Sequence, residues 1–243
     1  MRTQISLALS AALLAAFVPS SLTAQDGPAR RVVPMDTARA RMLYVSNRPE
    51  DHPVADYARH IAAKAVTDSI FAARSRGVMQ YRKVTYRSPV DGLEIPAYVY
   101  APLNPRGDRA HAAMVWVHGG VHGNWTQNYL PFIIEAVNRG YVIVAPEYRG
   151  STGYGREFHE AIDYGGKEVD DVLGAYDFLR TLPYVDPDRV GLMGWSHGGF
   201  ITAHLLFRGA TPFKAGAAMV PVTNLFFRLA YKGPGYQRSF STQ

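Results

Sequence analysis

A six-residue segment, Gly194-Trp195-Ser196-His197-Gly198-Gly199, constrains the fold of this 243-residue chain more than any other. The apolar run at 190–193 is typical of a buried strand, and the apolar run at 199–207 is typical of a helix. Glycine on both sides of the serine leaves room for a turn that side chains would obstruct. The sequence therefore predicts a strand, a sharp turn and a helix, with Ser196 at the apex of the turn.

Upstream of this turn the chain alternates strand and helix patterns. Buried-type strands are predicted at 112–117 and 141–145, and helices at 129–137 and 167–182. A further strand is predicted at 214–220. This alternation predicts an α/β fold, with a mostly parallel sheet and helices on both of its faces.

An antiparallel hairpin is predicted before this alternation. Its strands span 79–87 and 93–100, and the Val90-Asp91-Gly92 segment between them is a hairpin signal. A helix is predicted earlier still, at 54–74. Gly77 is expected to end it, and its apolar side chains follow an approximate helical spacing: Ala55, Ala58, Ile61, Ala62, Ala65, Ile70 and Ala73.

The first 24 residues are typical of a signal peptide. Arg2 precedes an apolar run at 5–18, and the small residues that end at Ala24 suit cleavage before Gln25. We therefore expect an exported protein, periplasmic or extracellular, with no membrane attachment after cleavage. Residues 25–77 would then form an N-terminal arm and helix.

The net charge of +6 does not indicate nucleic-acid binding. It arises from Arg2 and from five unopposed cationic residues after Ser196, so residues 25–196 carry no net charge. The chain has no cysteine, which excludes disulfides. The sequence implies no cofactor and leaves the oligomeric state open.

Ser196 at such a turn is suited to attack on an acyl group. A serine hydroxyl needs a base that takes its proton and donors that stabilise the resulting oxyanion. The N–H of His197 follows the serine directly. His118-Gly119-Gly120 ends an earlier strand, where a site of this kind has its second donor. The pattern favours a serine hydrolase.

Other residues are weaker candidates for chemistry. The glycine-rich segment 150–155 lacks the lysine and the spacing of phosphate-binding loops. His118 and His122 are four residues apart, but a glycine loop replaces the helix that a metal pair would need, so no metal is expected. We expect His118 to brace the loop and His122 to line the mouth of the site. Trp125 and Tyr129 either line a substrate pocket or cap the core.

Four motifs in order resemble the catalytic domain of the prolyl oligopeptidase family. The motifs are Arg149-Gly150-Ser151-Thr152-Gly153-Tyr154-Gly155, Asp186-Pro187-Asp188-Arg189-Val190-Gly191, Gly194 to Phe200, and Phe213-Lys214-Ala215-Gly216. The resemblance covers about residues 80–243 and implies the α/β-hydrolase fold, with residues 78–243 as the catalytic domain. The residues around Trp195 and His197 look closest to the dipeptidyl-peptidase and acylaminoacyl-peptidase branches.

This resemblance implies a serine-type peptidase that cleaves peptide bonds through an acyl-enzyme on Ser196. It implies oxyanion donors at the backbone N–H groups of His197 and of Gly120 or Val121, although many members have proline where Val121 stands. The expected substrate is a peptide or a small ester. An exported carboxylesterase or acetyl-ester hydrolase is the alternative, because such enzymes use the same turn.

The family's catalytic Asp and His lie beyond the last residue of this chain, and no Asp or Glu follows Ser196. We therefore expect a chain that is incomplete at its C-terminus, lacks the last strands of its sheet and has little activity by itself. His197 should point away from the serine, His204 should pack in a helix, and Asp170 and Asp171 should complement a helix dipole. A non-catalytic, truncated hydrolase fold is the remaining interpretation.

Overall fold

The computed structural model describes residues 55–224. The predicted signal peptide at 1–24 lies outside the described residues, and so do residues 25–54 and 225–243. Six strands form one mixed sheet in the order β1-β2-β4-β3-β5-β6. The strands are β1 (Gln80–Arg87), β2 (Glu94–Ala101), β3 (His111–Val117), β4 (Val142–Pro146), β5 (Val185–Trp195) and β6 (Ala215–Met219).

The sheet combines an antiparallel edge with a parallel centre. β1 pairs antiparallel with β2, and β2 pairs antiparallel with β4. β3 pairs in parallel with both β4 and β5, and β5 pairs in parallel with β6. The α/β fold class, with a mostly parallel sheet after a hairpin, is therefore confirmed.

Helices cover both faces of this sheet. The five α-helices within residues 55–224 are α1 (Tyr57–Ser75), α2 (Leu130–Asn138), α3 (Arg156–Glu160), α4 (Lys167–Leu179) and α5 (His197–Phe207), and a short 3₁₀ helix, Gln127–Tyr129, precedes α2. Val172 of α4 and Ile201 of α5 belong to one apolar cluster, whereas Phe71 of α1 and Ile133 of α2 belong to the other. All five residues of β4 are buried, as expected for a central strand with helices on both sides.

Two elements differ from their sequence predictions. β5 begins at Val185 rather than at residue 190, because its pairing with β3 continues beyond a register shift, from the Ala113–Val190 pair to the His111–Val185 pair. Helix α3 was not predicted, since its five residues are too few for a helical periodicity. None of the helices in the described part of the chain is long and apolar enough to cross a bilayer.

The first predicted helix is confirmed, but it leaves most of its evenly spaced apolar residues exposed. Ile61 is 48% exposed, and the alanines at 58, 62 and 65 are exposed too. The helix instead buries Lys64, Phe71 and Ser75, which also follow a helical spacing. Alanine side chains bury little area, so the position of the helix is determined by the contacts of Phe71 with the tyrosines of β1 and β2 and by a buried ion pair of Lys64.

Candidate active site

Ser196 lies at a turn between β5 and α5, as its sequence context predicts. It adopts φ 57° and ψ −114°, a left-handed backbone conformation that non-glycine residues rarely adopt. Its N–H donates to Met219 O on β6 at 3.0 Å, which ties the turn to the neighbouring strand. A Cβ on Gly198 would collide with the backbone carbonyl of Val117, so this position requires glycine.

The glycine loop, residues 118–125, follows β3 and packs directly against this turn. A Cβ on Gly119 would lie 2.8 Å from Trp195 O and 3.2 Å from Ser196 Cβ. Such distances exclude any side chain larger than a hydrogen. The structure therefore brings together the serine and the loop that the sequence assigns to the same site.

The predicted oxyanion donors belong to the two segments that meet at this contact. Among the described residues, the N–H groups of Gly120 and Val121 donate to no acceptor, whereas the N–H of Gly119 points to Tyr129 Oη at 3.4 Å. His197 is the first residue of α5 and follows Ser196 directly. The N–H groups of Gly120, Val121 and His197 remain the predicted donors to an oxyanion at Ser196.

The described chain does not pair Ser196 with a candidate base. Within residues 55–224, the serine hydroxyl forms no hydrogen bond to a histidine or a carboxylate. His197 is fully buried, with its Nε2 3.6 Å from Glu168 Oε1, so its ring is directed into the protein. His204 is exposed against Phe200 rather than packed in the core as expected.

A buried polar cluster supports the glycine loop from below. His118 Nε2 lies 2.9 Å from Ser151 Oγ and 3.2 Å from Glu147 Oε2, and its Nδ1 lies 3.1 Å from Gly119 O. The Ser151 hydroxyl donates to Tyr148 O at 2.6 Å. The expectation that His118 braces the loop is confirmed by these contacts.

Lys64 of α1 completes this cluster. Its Nζ forms an ion pair with Glu147 and donates to Trp125 O at 2.9 Å, and both side chains are buried. Burial alone would raise the pKa of the Glu147 carboxyl, but the charge of Lys64 and the contact with His118 outweigh it. The pKa of Glu147 therefore lies below its ordinary value, and the carboxylate is ionised under the loop.

Sequence reasoning missed both members of this ion pair. Glu147 follows the wholly apolar strand 142–146 directly, and a carboxylate in that position is an available signal of a buried partner. Lys64 gives no comparable signal, because its helix is rich in charged and small residues on all sides. Its partner lies 83 residues away in sequence, so only the tertiary structure reveals the pair.

A second buried network fixes the start of the segment 149–155. Arg149 donates to Asp171 through its backbone N–H and its side chain, and to Asp91 in the hairpin turn at 2.8 Å. Asp171 is fully buried, so its role is to bind Arg149 and not, as expected, to complement the dipole of α4. Asp170 lies in the first turn of that helix and pairs with Arg208.

Trp125 and Tyr129, the two aromatic residues predicted to line a pocket or cap the core, differ in burial. Trp125 is fully buried and contacts Trp116 and Tyr129 edge-on or tilted. Trp125 therefore caps the core and does not line a substrate pocket. Tyr129 is only half-buried, and its hydroxyl faces the glycine loop.

His122 connects the glycine loop to α3. Its ring stacks on that of His159, with centroids 3.6 Å apart, and its Nδ1 lies 2.7 Å from Gly150 O. Burial lowers the pKa of His122. Burial, His122 and His60 together lower the pKa of His159 to about 4. Both rings are therefore neutral at pH 7.

We expect this stack to lose stability on acidification. A histidine in the unfolded chain has a pKa near 6.5, whereas the pKa of His159 in the folded protein is about 4. Between these pH values the unfolded chain therefore binds a proton that the folded protein does not. Stability should thus fall by about 1 kcal/mol between pH 7 and pH 5, a figure reduced for the partial exposure of the ring. Urea unfolding at both pH values measures the loss.

The matched variants for this prediction are His159→Phe, which keeps a stacking ring without a titrating proton, and His204→Phe at an exposed site. The first should reduce the pH dependence, and the second should leave it unchanged. Equal pH dependence in all three proteins would exclude the stack as its source.

Comparison with known proteins agrees with this geometry. Residues 125–232 match the model of the prolyl oligopeptidase family. The chain is 34% identical to the uncharacterized peptidase YuxL of Bacillus subtilis over 137 residues, 55% of this chain and 21% of that protein. It is 37% identical to acylamino-acid-releasing enzyme 1 of Oryza sativa over 137 residues, 56% of this chain and 18% of that protein. The chain thus spans about a fifth of the length of these curated relatives.

The fold is similar to that of a solved relative as well. An acylaminoacyl peptidase, solved in complex with Z-Gly-Gly-Phe-chloromethyl ketone, superposes with a TM-score of 0.58 at 28% identity. The match covers 68% of this chain and 27% of that protein. On the family match, the two relatives and this superposition, residues 125–232 form part of a prolyl oligopeptidase family domain with the α/β-hydrolase fold.

Proposed function

We propose that the whole protein is a serine peptidase in which this chain supplies the nucleophile and the oxyanion-binding loop. The observation that carries the proposal is the contact between Gly119 and Ser196, through which the loop that includes Gly120 and Val121 packs against a serine held at φ 57°. Relatives named as peptidases and acylamino-acid-releasing enzymes support a peptide substrate.

The proposed reaction has two steps. Ser196 Oγ attacks the carbonyl carbon of a peptide bond, and a base outside residues 55–224 takes its proton. The N–H groups of His197 and of Gly120 or Val121 stabilise the oxyanion. The C–N bond then breaks, the amine leaves with a proton, and an acyl-enzyme remains on Ser196. Water cleaves this ester, which releases the acid and restores the hydroxyl.

Two substrate classes test the proposal in the whole protein. Aminoacyl anilides report amide cleavage and p-nitrophenyl esters report ester cleavage, both against the Ser196→Ala variant. We expect turnover of the anilides that depends on Ser196. Turnover of esters alone would assign a carboxylesterase instead, and turnover of neither would favour a non-catalytic fold.

We further propose that residues 1–24 direct export and are removed. The support is the sequence itself, with Arg2, the apolar run at 5–18 and the small residues that end at Ala24. The expected result is a mature protein that begins at Gln25 and is recovered from the periplasm or the medium. Mass spectrometry of its N-terminal peptide measures this, and an intact Met1 in the cytoplasmic fraction would contradict it.

A further inference from the structure

Lys64 is an unusual residue for the buried face of a helix. Its side chain is 3% exposed, and that of its partner Glu147 is 0% exposed. Charged side chains are rarely buried to this extent, because desolvation costs several kcal/mol unless each charge is paired and hydrogen-bonded. This ion pair also connects two parts of the chain that are far apart in sequence, helix α1 and the end of β4.

The contacts of the pair reach both ends of the glycine loop. Glu147 Oε2 faces His118 Nε2 at 3.2 Å at the start of the loop. Glu147 Oε1 accepts the N–H of Trp125 at 3.1 Å at its end, and Lys64 donates to the carbonyl of the same residue. One lysine and one carboxylate thus hold the first and the last residue of the loop together.

We propose that Lys64 is a positioning residue for the oxyanion loop. Its charge keeps Glu147 ionised beneath the loop, and Glu147 in turn fixes His118 and Trp125. The loop then presents the N–H groups of Gly120 and Val121 to Ser196 in one orientation, which is what oxyanion stabilisation requires. The catalytic part of this inference rests on the proposed function, whereas the structural part does not.

The first test measures the loop itself. Hydrogen exchange of the peptide 118–125 is followed by mass spectrometry in wild type and in Lys64→Met. We expect at least about tenfold faster exchange in the variant, because the loop loses its ionic anchor. Lys83→Met is the matched control. Lys83 lies on β1 and pairs at 2.5 Å with Asp68 of α1, the helix that also contains Lys64, but it contacts no described residue of the glycine loop. It should leave exchange of the loop unchanged.

The second test measures the reaction at Ser196. In the whole protein, the rate of labelling by a fluorophosphonate should fall about tenfold in Lys64→Met and stay within about twofold of wild type in Lys83→Met. The double variant Lys64→Met/Glu147→Gln removes both charges and keeps the shape of the glutamate side chain. It should label about as slowly as Lys64→Met, because neither variant has an ionised carboxylate at position 147 to anchor the loop.

The outcomes separate the two proposals. Wild-type exchange and labelling in Lys64→Met would overturn the positioning role, and so would a double variant that labels at the wild-type rate. Absence of labelling in wild type would overturn the proposed function, while the exchange experiment would still decide the role of Lys64. If Lys64→Met does not fold, Glu147→Gln preserves the packing and should accelerate exchange of the loop in its place.

Discussion

Replacing Ser196 with alanine in the whole protein should reduce amide hydrolysis by at least about 10³-fold and abolish labelling by a fluorophosphonate. The variant removes only the hydroxyl, and the N–H of residue 196 can still donate to Met219 O. Binding of substrate should therefore persist, so that kcat falls far more than KM changes. Steady-state kinetics with an anilide substrate and intact mass after labelling measure the two effects.

Ser69→Ala is the matched control for this variant. Ser69 is an exposed serine of α1 whose hydroxyl donates to Ala65 O at 3.0 Å. Its removal should change neither the rate nor the labelling. Persistent labelling of the Ser196→Ala protein would show that another residue is the nucleophile, and the assignment of the site would then be wrong.

Replacing Arg149 with methionine should destabilise the folded protein by about 3 kcal/mol. The variant leaves the carboxylate of Asp171 buried without its cationic partner, and it breaks the bond to Asp91 in the hairpin turn. Urea unfolding at pH 7 measures the change. Asp91 is partly exposed and can be hydrated, so most of the loss should come from Asp171.

An exposed ion pair provides the control for this loss. Arg139 pairs with Glu135 at 2.7 Å, but both side chains are largely in solvent. Arg139→Met should therefore cost about 0.5 kcal/mol or less. A similar small loss in both variants would mean that the Arg149 network adds little to stability.

The sheet and its site were largely predictable, because apolar runs and glycine turns are local signals. The strand before Ser196 and the helix after it follow from a few consecutive residues, and the contact of the glycine loop with the serine follows from parallel strands that end at the same edge. The face of α1 was not predictable in this way. Its alanines match a helical spacing, but the buried residues are Phe71, which packs on a tyrosine of β2, and Lys64, which pairs with Glu147 at the end of β4.

The buried charges are the other part that local sequence could not supply. Arg149 contacts Asp91 and Asp171, which lie 58 and 22 residues away, and no periodicity connects such positions. The role of Asp171 was misjudged for this reason, since a carboxylate near the start of a helix already has a local explanation. Pairings across long sequence separations are determined by the packing of whole elements.

The bond from Ser196 N–H to Met219 O has a consequence for synthesis of the protein. The left-handed conformation of the serine is unfavourable locally and is held in place by a strand that the ribosome makes about 23 residues later. During translation the elongating chain should therefore carry an ordinary, unreactive serine until β6 has left the exit tunnel and paired with β5. The order of synthesis would then delay the reactive geometry until the strands around it are folded.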